Sequence, residues 1–155
     1  MRCRSSLSAM ASRTRIIWVP SSVRQRPQAH TALSSRSAEL CGLTAAVARS
    51  AAGALAYVGV HKANNLASTL DELKERGVWL FGAEADGTVG LYDAPFDRPT
   101  AIIIGSEGQG LSRLTRDKCD YIVSIPMRGR VNSLNASNAA AVLLFEALRR
   151  RTQGN

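Results

Sequence analysis

Read for the spacing of its apolar residues, the chain changes character near residue 37. From there Ser37, Ala38, Glu39 and Leu40 open an Ala-rich stretch that predicts a helix to about Ser50, and residues 50–55 (SAAGAL) are small and close-packing. Residues 57–60 (YVGV) predict a short strand. Asn64 or Asn65 can cap a helix whose Leu66, Leu70 and Leu73 fall at i, i+4 and i+7. Lys74 and Arg76 suit its C-terminus and Gly77 the residue just past it. Residues 78–82 (VWLFG) form a continuous apolar run, the pattern of a strand buried on both faces. A polar loop follows over 83–99, then a β-branched strand over 101–104, a short helix over 111–118 and a strand over 121–125. The last helix spans 135–151, with Ala139, Val142, Leu143, Phe145 and Leu148 expected to face inward. Strands alternate with helices, so the expected class is α/β with a largely parallel sheet. Before residue 37 no period is sustained, although Ile16, Ile17, Trp18 and Val19 are apolar. The expected organisation is an irregular segment, 1–36, ahead of a domain over 37–155.

Charge sharpens that boundary. The 155 residues carry a formal net charge of +8, which at first suggests a nucleic-acid footprint. Seven arginines (2, 4, 13, 15, 24, 26 and 36) lie in 1–36 with no acid beside them. The remaining 13 Lys and Arg face all 12 acids, so 37–155 carries only +1. An acid-poor, Arg/Ser-rich N-terminus also has the composition of a transit peptide or a disordered tail. Three scattered cysteines (3, 41 and 119) make neither a disulfide framework nor a zinc site, so a reducing, cytoplasmic setting is expected. His30 and His61 stand alone, so no metal is expected. No apolar run approaches the roughly 18 residues of a membrane span.

Two loops carry the candidate chemistry. Residues 105–111 (GSEGQGL) follow the Ile-rich strand and hold three glycines, which permit positive φ and close backbone approach to a ligand. A loop outside the carboxyl end of a parallel strand is where α/β folds bind ligands. No Lys-Ser/Thr follows, so it is not a P-loop, and the spacing is not that of a dinucleotide fingerprint. A plain Gly-rich turn would look the same. Residues 125–138 (IPMRGRVNSLNASN) also lead from a strand into a helix and carry two arginines, two serines and three asparagines. Ser133 or Asn135 can cap that helix, which accounts for only one of these groups.

Together, strand-GSEGxGL and strand-IPMxGxxxSLNxS resemble motifs 2 and 3 of the SpoU/TrmH family, RNA ribose 2′-O-methyltransferases of the SPOUT class. Upstream, Ser37 to Leu40, the SAAGAL stretch and Asn65-Leu66 look like the branch that methylates a guanosine of 23S ribosomal RNA. The resemblance covers about 37–151. It implies an α/β-knot fold, with the C-terminal part threaded as a deep trefoil knot, a known exception to unknotted connections. It implies S-adenosylmethionine as cofactor, RNA as partner, and a homodimer. By motif position it assigns Gly105, Gly110, Ile125, Met127 and Leu134 to the cofactor. Glu107, Ser133 and Asn135 match polar active-site positions. Arg49, Arg128 and Arg130 are candidate RNA phosphate contacts, with solvated surface charge as the other reading. The chemistry suits these residue types, because a sulfonium methyl is already activated. The site must orient the 2′-hydroxyl and stabilise the negative charge that develops on it.

In this family an arginine of motif 1, N-x-G-x-x-x-R, supplies the cation. Nothing in 1–36 reads that way, and the first strand and helix of the fold are expected to be missing with it. The genetic code offers a reason. Trp18 is encoded by TGG and Val19 begins GT, so reading one base earlier forces a glycine there. The codons of Ile16 and Ile17 permit His and Asn in that frame, and Val23 after a serine ending in C gives an arginine. One consistent choice of third bases over 14–35 yields DPHNLGAILRSAEAAGAHGVVIP, a complete motif 1 in register. The hypothesis is that 1–36 is an out-of-frame translation. It fails if the coding DNA of codons 14–35 does not give that peptide one base back. The chain as translated is then expected to be inactive and poorly soluble. The competing classes are a non-catalytic RNA- or cofactor-binding remnant, a transfer-RNA methyltransferase, and an unrelated nucleotide-binding α/β protein.

Overall fold

The computed structural model describes residues 15–19, 30–34, 60–63, 65–106, 108–128 and 134–153. Among them, seven strands form one sheet: β1 (Arg15–Val19), β2 (His30–Ser34), β3 (Val60–Ala63), β4 (Trp79–Ala83), β5 (Val89–Gly90), β6 (Thr100–Ile104) and β7 (Tyr121–Ser124). Their order is β3-β2-β1-β6-β4-β7-β5. Four neighbouring pairs are parallel, and β1 runs antiparallel to both β2 and β6. Three helices are described: α1 (Leu66–Glu75), α2 (Arg113–Lys118) and α3 (Ala136–Gln153). The mostly parallel α/β architecture read from the sequence is therefore present.

The central strand explains the layering. All five residues of β6 are buried, as a β-branched run flanked by neighbours on both sides requires. Its side chains alternate between faces. Ile102 and Ile104 pack with Phe81, Leu91, Phe96, Val123, Leu143 and Ala147 on the α3 side. Ala101 and Ile103 pack with Ile16, Leu70, Val78, Leu80 and Leu111 on the α1 side. Asn65 caps α1, its side-chain oxygen accepting from the Ala67 and Ser68 N–H groups at 2.9 and 3.3 Å. At the other end Gly77 (φ +75°) donates to the Lys74 carbonyl and Val78 to the Leu73 carbonyl, a Schellman closure. Lys74 pairs with Asp120 at 2.8 Å and Lys118 with Asp71, tying α1 to α2 and its flank.

Four expectations need correcting. First, 1–36 contains β1 and β2, although its residue pattern carries no sustained period. Pairing supplies the order: Ile16 is fully buried opposite Ile103. Second, the strand expected to end at Val60 continues to Ala63, while 57–59 lie outside the described residues. Third, the polar loop 83–99 contains β5, two residues held against β7. Fourth, Val142, Phe145 and Leu148 of α3 are exposed, Phe145 by 73%. The buried residues are Leu143, Glu146, Ala147 and Arg151, a stripe at i, i+3, i+4 and i+8, and an Ala-rich helix offers no strong apolar contrast to mark it. Arg151 closes the packing: its guanidinium donates to the Phe96 carbonyl at 3.0 Å and the Arg98 carbonyl at 2.7 Å. The helix predicted over 37–50 and the trefoil threading, which would run through 129–133, lie outside the described residues.

Candidate functional site

Three parallel strands, β6, β4 and β7, end side by side, and the loops that follow them enclose a cavity of about 570 Å³. That is the position where parallel sheets bind ligands, and the size suits a nucleoside-sized molecule. Ile104, Val123, Ile125, Met127, Leu134 and Ala139 give it an apolar interior. Glu84 and Asp86 put two carboxylates on its wall, and no Lys or Arg lines it among the described residues.

The glycine loop is a tight hairpin. Ser106 and Gly110 exchange both backbone hydrogen bonds, at 3.0 and 2.9 Å. A Cβ on Gly105 would lie 2.2 Å from the Gly110 carbonyl carbon and 2.6 Å from the Leu111 nitrogen, so only glycine allows this backbone crossing. Gly110 adopts φ +65°, in the left-handed region that favours glycine. Beyond it, Ser112 caps α2 by accepting from the Thr115 N–H at 3.2 Å. On the other side of the cavity Asn135 caps α3, its side-chain oxygen accepting from the Asn138 N–H at 2.8 Å.

The sequence motifs therefore converge. Gly105, Gly110, Ile125, Met127, Leu134 and Asn135 all line the one cavity, although they come from two loops. Asn135 also caps α3, a role that occupies its side-chain oxygen. Arg128 is exposed, just past Met127, and does not line the cavity. Glu107, Ser133, Arg49 and Arg130 lie outside the described residues. Glu84 and Asp86 were not singled out from the sequence. The available signal was position, since Glu84 is the first residue after the buried strand β4 and thus sits at the sheet's ligand-binding edge.

Cys119 lies at the far end of α2. Its thiol donates to the Thr115 carbonyl at 3.2 Å, and burial, reinforced by Asp120, pushes its pKa up to about 12. It is thus a protonated packing residue. Among the described residues no group of three or more His, Cys, Asp or Glu could hold a metal, and no helix is long and apolar enough to cross a membrane.

Comparison with known proteins places these features in context. Residues 28–145 match the model of the SpoU rRNA Methylase family. A Staphylococcus haemolyticus protein named for the TrmH family of tRNA/rRNA methyltransferases is 54% identical over 111 residues, covering 72% of this chain and 45% of the relative. The SpoU methyltransferase AviRb of Streptomyces viridochromogenes, solved in complex with the cofactor AdoMet, superposes with a TM-score of 0.70 at 33% identity, covering 79% of this chain and 50% of its own. The crystal structure of an A. aeolicus TrmH/SpoU tRNA modifying enzyme superposes with a TM-score of 0.70 at 25% identity, covering 81% of this chain and 62% of that one. The chain spans about half the length of the curated relatives it matches.

Proposed function

Because the chain belongs to the SpoU rRNA Methylase family, we propose that its cavity binds S-adenosylmethionine and serves methyl transfer to a ribose 2′-hydroxyl of RNA once a complete motif 1 is present. The observation that carries this reading is the convergence of both sequence loops on one cavity at the carboxyl edge of the sheet. The residues fit the cofactor. Ile125, Met127, Leu134 and Ala139 suit a flat, apolar base, and the backbone of the glycine loop is close enough to meet it with hydrogen bonds. No Lys or Arg lines the cavity among the described residues, which disfavours a triphosphate and argues against the nucleotide-binding alternative. The cofactor, when bound, supplies a methyl group already activated on a sulfonium.

The chain's own residues orient the acceptor. The Asn135 amide nitrogen is assigned to a ribose oxygen, and Ser133 and Glu107, from the same two motifs, to orienting the acceptor. Arg128, which is exposed, is proposed as a phosphate contact, and Arg49 and Arg130 are proposed for the same role. Ribosomal RNA, at a 23S guanosine, is the proposed substrate. Transfer RNA is the alternative, since the relatives are named for both. The active form is proposed to be a homodimer, with the exposed Val142, Phe145 and Leu148 face of α3 covered by a second copy. A cytoplasmic setting is proposed with it.

What the chain lacks at the family's spacing is the motif 1 arginine. We therefore propose that the sequence as translated holds cofactor without transferring methyl groups, a binding remnant in effect, and that 1–36 is read out of frame. The experiment replaces 14–35 by the peptide read one base earlier and supplies methyl-labelled S-adenosylmethionine with ribosomal or transfer RNA. The restored chain is expected to leave label in an alkali-resistant dinucleotide, the mark of a blocked 2′-hydroxyl, and the chain as given is not. A restored, folded chain that methylates neither RNA defeats the reading.

A further inference from the structure

We propose that Glu84 is the positioning residue of the cofactor pocket: its carboxylate sets the conformation of the glycine loop and so controls cofactor affinity. This rests on the reading of the cavity as an S-adenosylmethionine site. Glu84 links all three strands that frame the cavity. It extends β4, its backbone N–H donates to the Val123 carbonyl of β7 at 3.1 Å, and its side chain reaches the loop after β6. There Oε1 accepts from the Leu111 N–H at 2.9 Å, while Oε2 takes the Arg116 guanidinium at 2.5 Å.

The fit is specific. The side chain of Glu84 is only 12% exposed, so its carboxylate is committed to these partners. A Cβ on Gly110 would lie 2.9 Å from Oε1, so the carboxylate occupies space that this glycine leaves open. Leu111 is itself 7% exposed, and its N–H has little access to water if the carboxylate is removed. Arg116 also reaches Asp86 at 3.3 Å, which joins the two acids of the cavity wall through one cation. A carboxylate satisfies both neighbours at once. A glutamine can accept from Leu111, but it then turns its amide donors towards the guanidinium.

The test uses the full chain, titrated with S-adenosylmethionine by calorimetry, with ligand-free unfolding midpoints and Leu111 amide exchange measured alongside. Glu84→Ala is expected to weaken binding more than about tenfold and Glu84→Gln about threefold, with faster exchange at Leu111 in both. Lys74→Ala, which removes a surface ion pair away from the cavity, is expected to leave affinity within about twofold. If Glu84→Ala folds and binds with unchanged affinity, the carboxylate is merely structural and the proposal is overturned. If Glu84→Ala does not fold, Glu84→Gln decides, and unchanged affinity there overturns it equally. No binding by the unsubstituted chain defeats the cofactor reading itself, and this proposal with it.

Discussion

Gly105→Ala tests the geometry of the glycine loop with a single methyl group. The added Cβ would sit 2.2 Å from the Gly110 carbonyl carbon, 2.4 Å from its oxygen and 2.6 Å from the Leu111 nitrogen. All three are backbone atoms, so no flexible side chain can yield and the hairpin itself must open. Opening it breaks the two hydrogen bonds between Ser106 and Gly110, worth roughly 0.5–1.5 kcal/mol each. Overpacking that is not relieved costs roughly 1–3 kcal/mol. The two costs are of the same size, but a 2.2 Å approach to a backbone carbon cannot be held in place, so the loop moves outward and carries one wall of the cavity with it. Losing about 2 kcal/mol of preorganised contact weakens a ligand about 30-fold. Calorimetric titration with S-adenosylmethionine measures this directly, and the unfolding midpoint is expected to fall by only a few degrees because the loop lies at the domain's edge. A variant that binds within twofold of the parent, with Gly110 amide exchange unchanged, refutes the argument.

Other parts of the fold make separate predictions. Arg151→Met removes the guanidinium held by the Phe96 and Arg98 carbonyls. It is expected to cost about 2–3 kcal/mol and lower the thermal midpoint by roughly 5–10 °C. Phe145→Asp, on a face 73% exposed at that residue, is expected to shift sedimentation from dimer to monomer while leaving the monomer's own circular dichroism intact. The Cys119 thiol, held near 12, is expected to alkylate at pH 8 at least about a hundredfold more slowly than in the denatured chain, read by mass spectrometry of its peptide. The native state binds that proton more tightly than the unfolded chain, whose thiol titrates near 9.0, so this contribution to stability is present below pH 9 and is lost as pH climbs towards 12.

What could be read from sequence and what could not divides along physical lines. β6 and α1 were legible because each carries a local signature: a β-branched run and a capped i, i+4, i+7 stripe. The two loops stood out through their place after parallel strands and their resemblance to family motifs, and their described residues meet at one cavity. β1 and β2 were not, because their order comes from pairing, with Ile16 set opposite Ile103. The face of α3 was misjudged because alanines give a helix little polarity, and the stripe is decided by where Leu143 and Arg151 meet the sheet. Glu84 was missed because a carboxylate in a polar loop has no local mark. Its role depends on partners 27 and 32 residues away.

The central claim is that the cavity at the ends of β4, β6 and β7 recognises S-adenosylmethionine. Its most direct test is parallel calorimetric titration of the purified chain with S-adenosylmethionine and with ATP. The account predicts one saturable site per chain for S-adenosylmethionine and no measurable heat of binding for ATP. Binding of ATP in its place, or no binding of either, would contradict it.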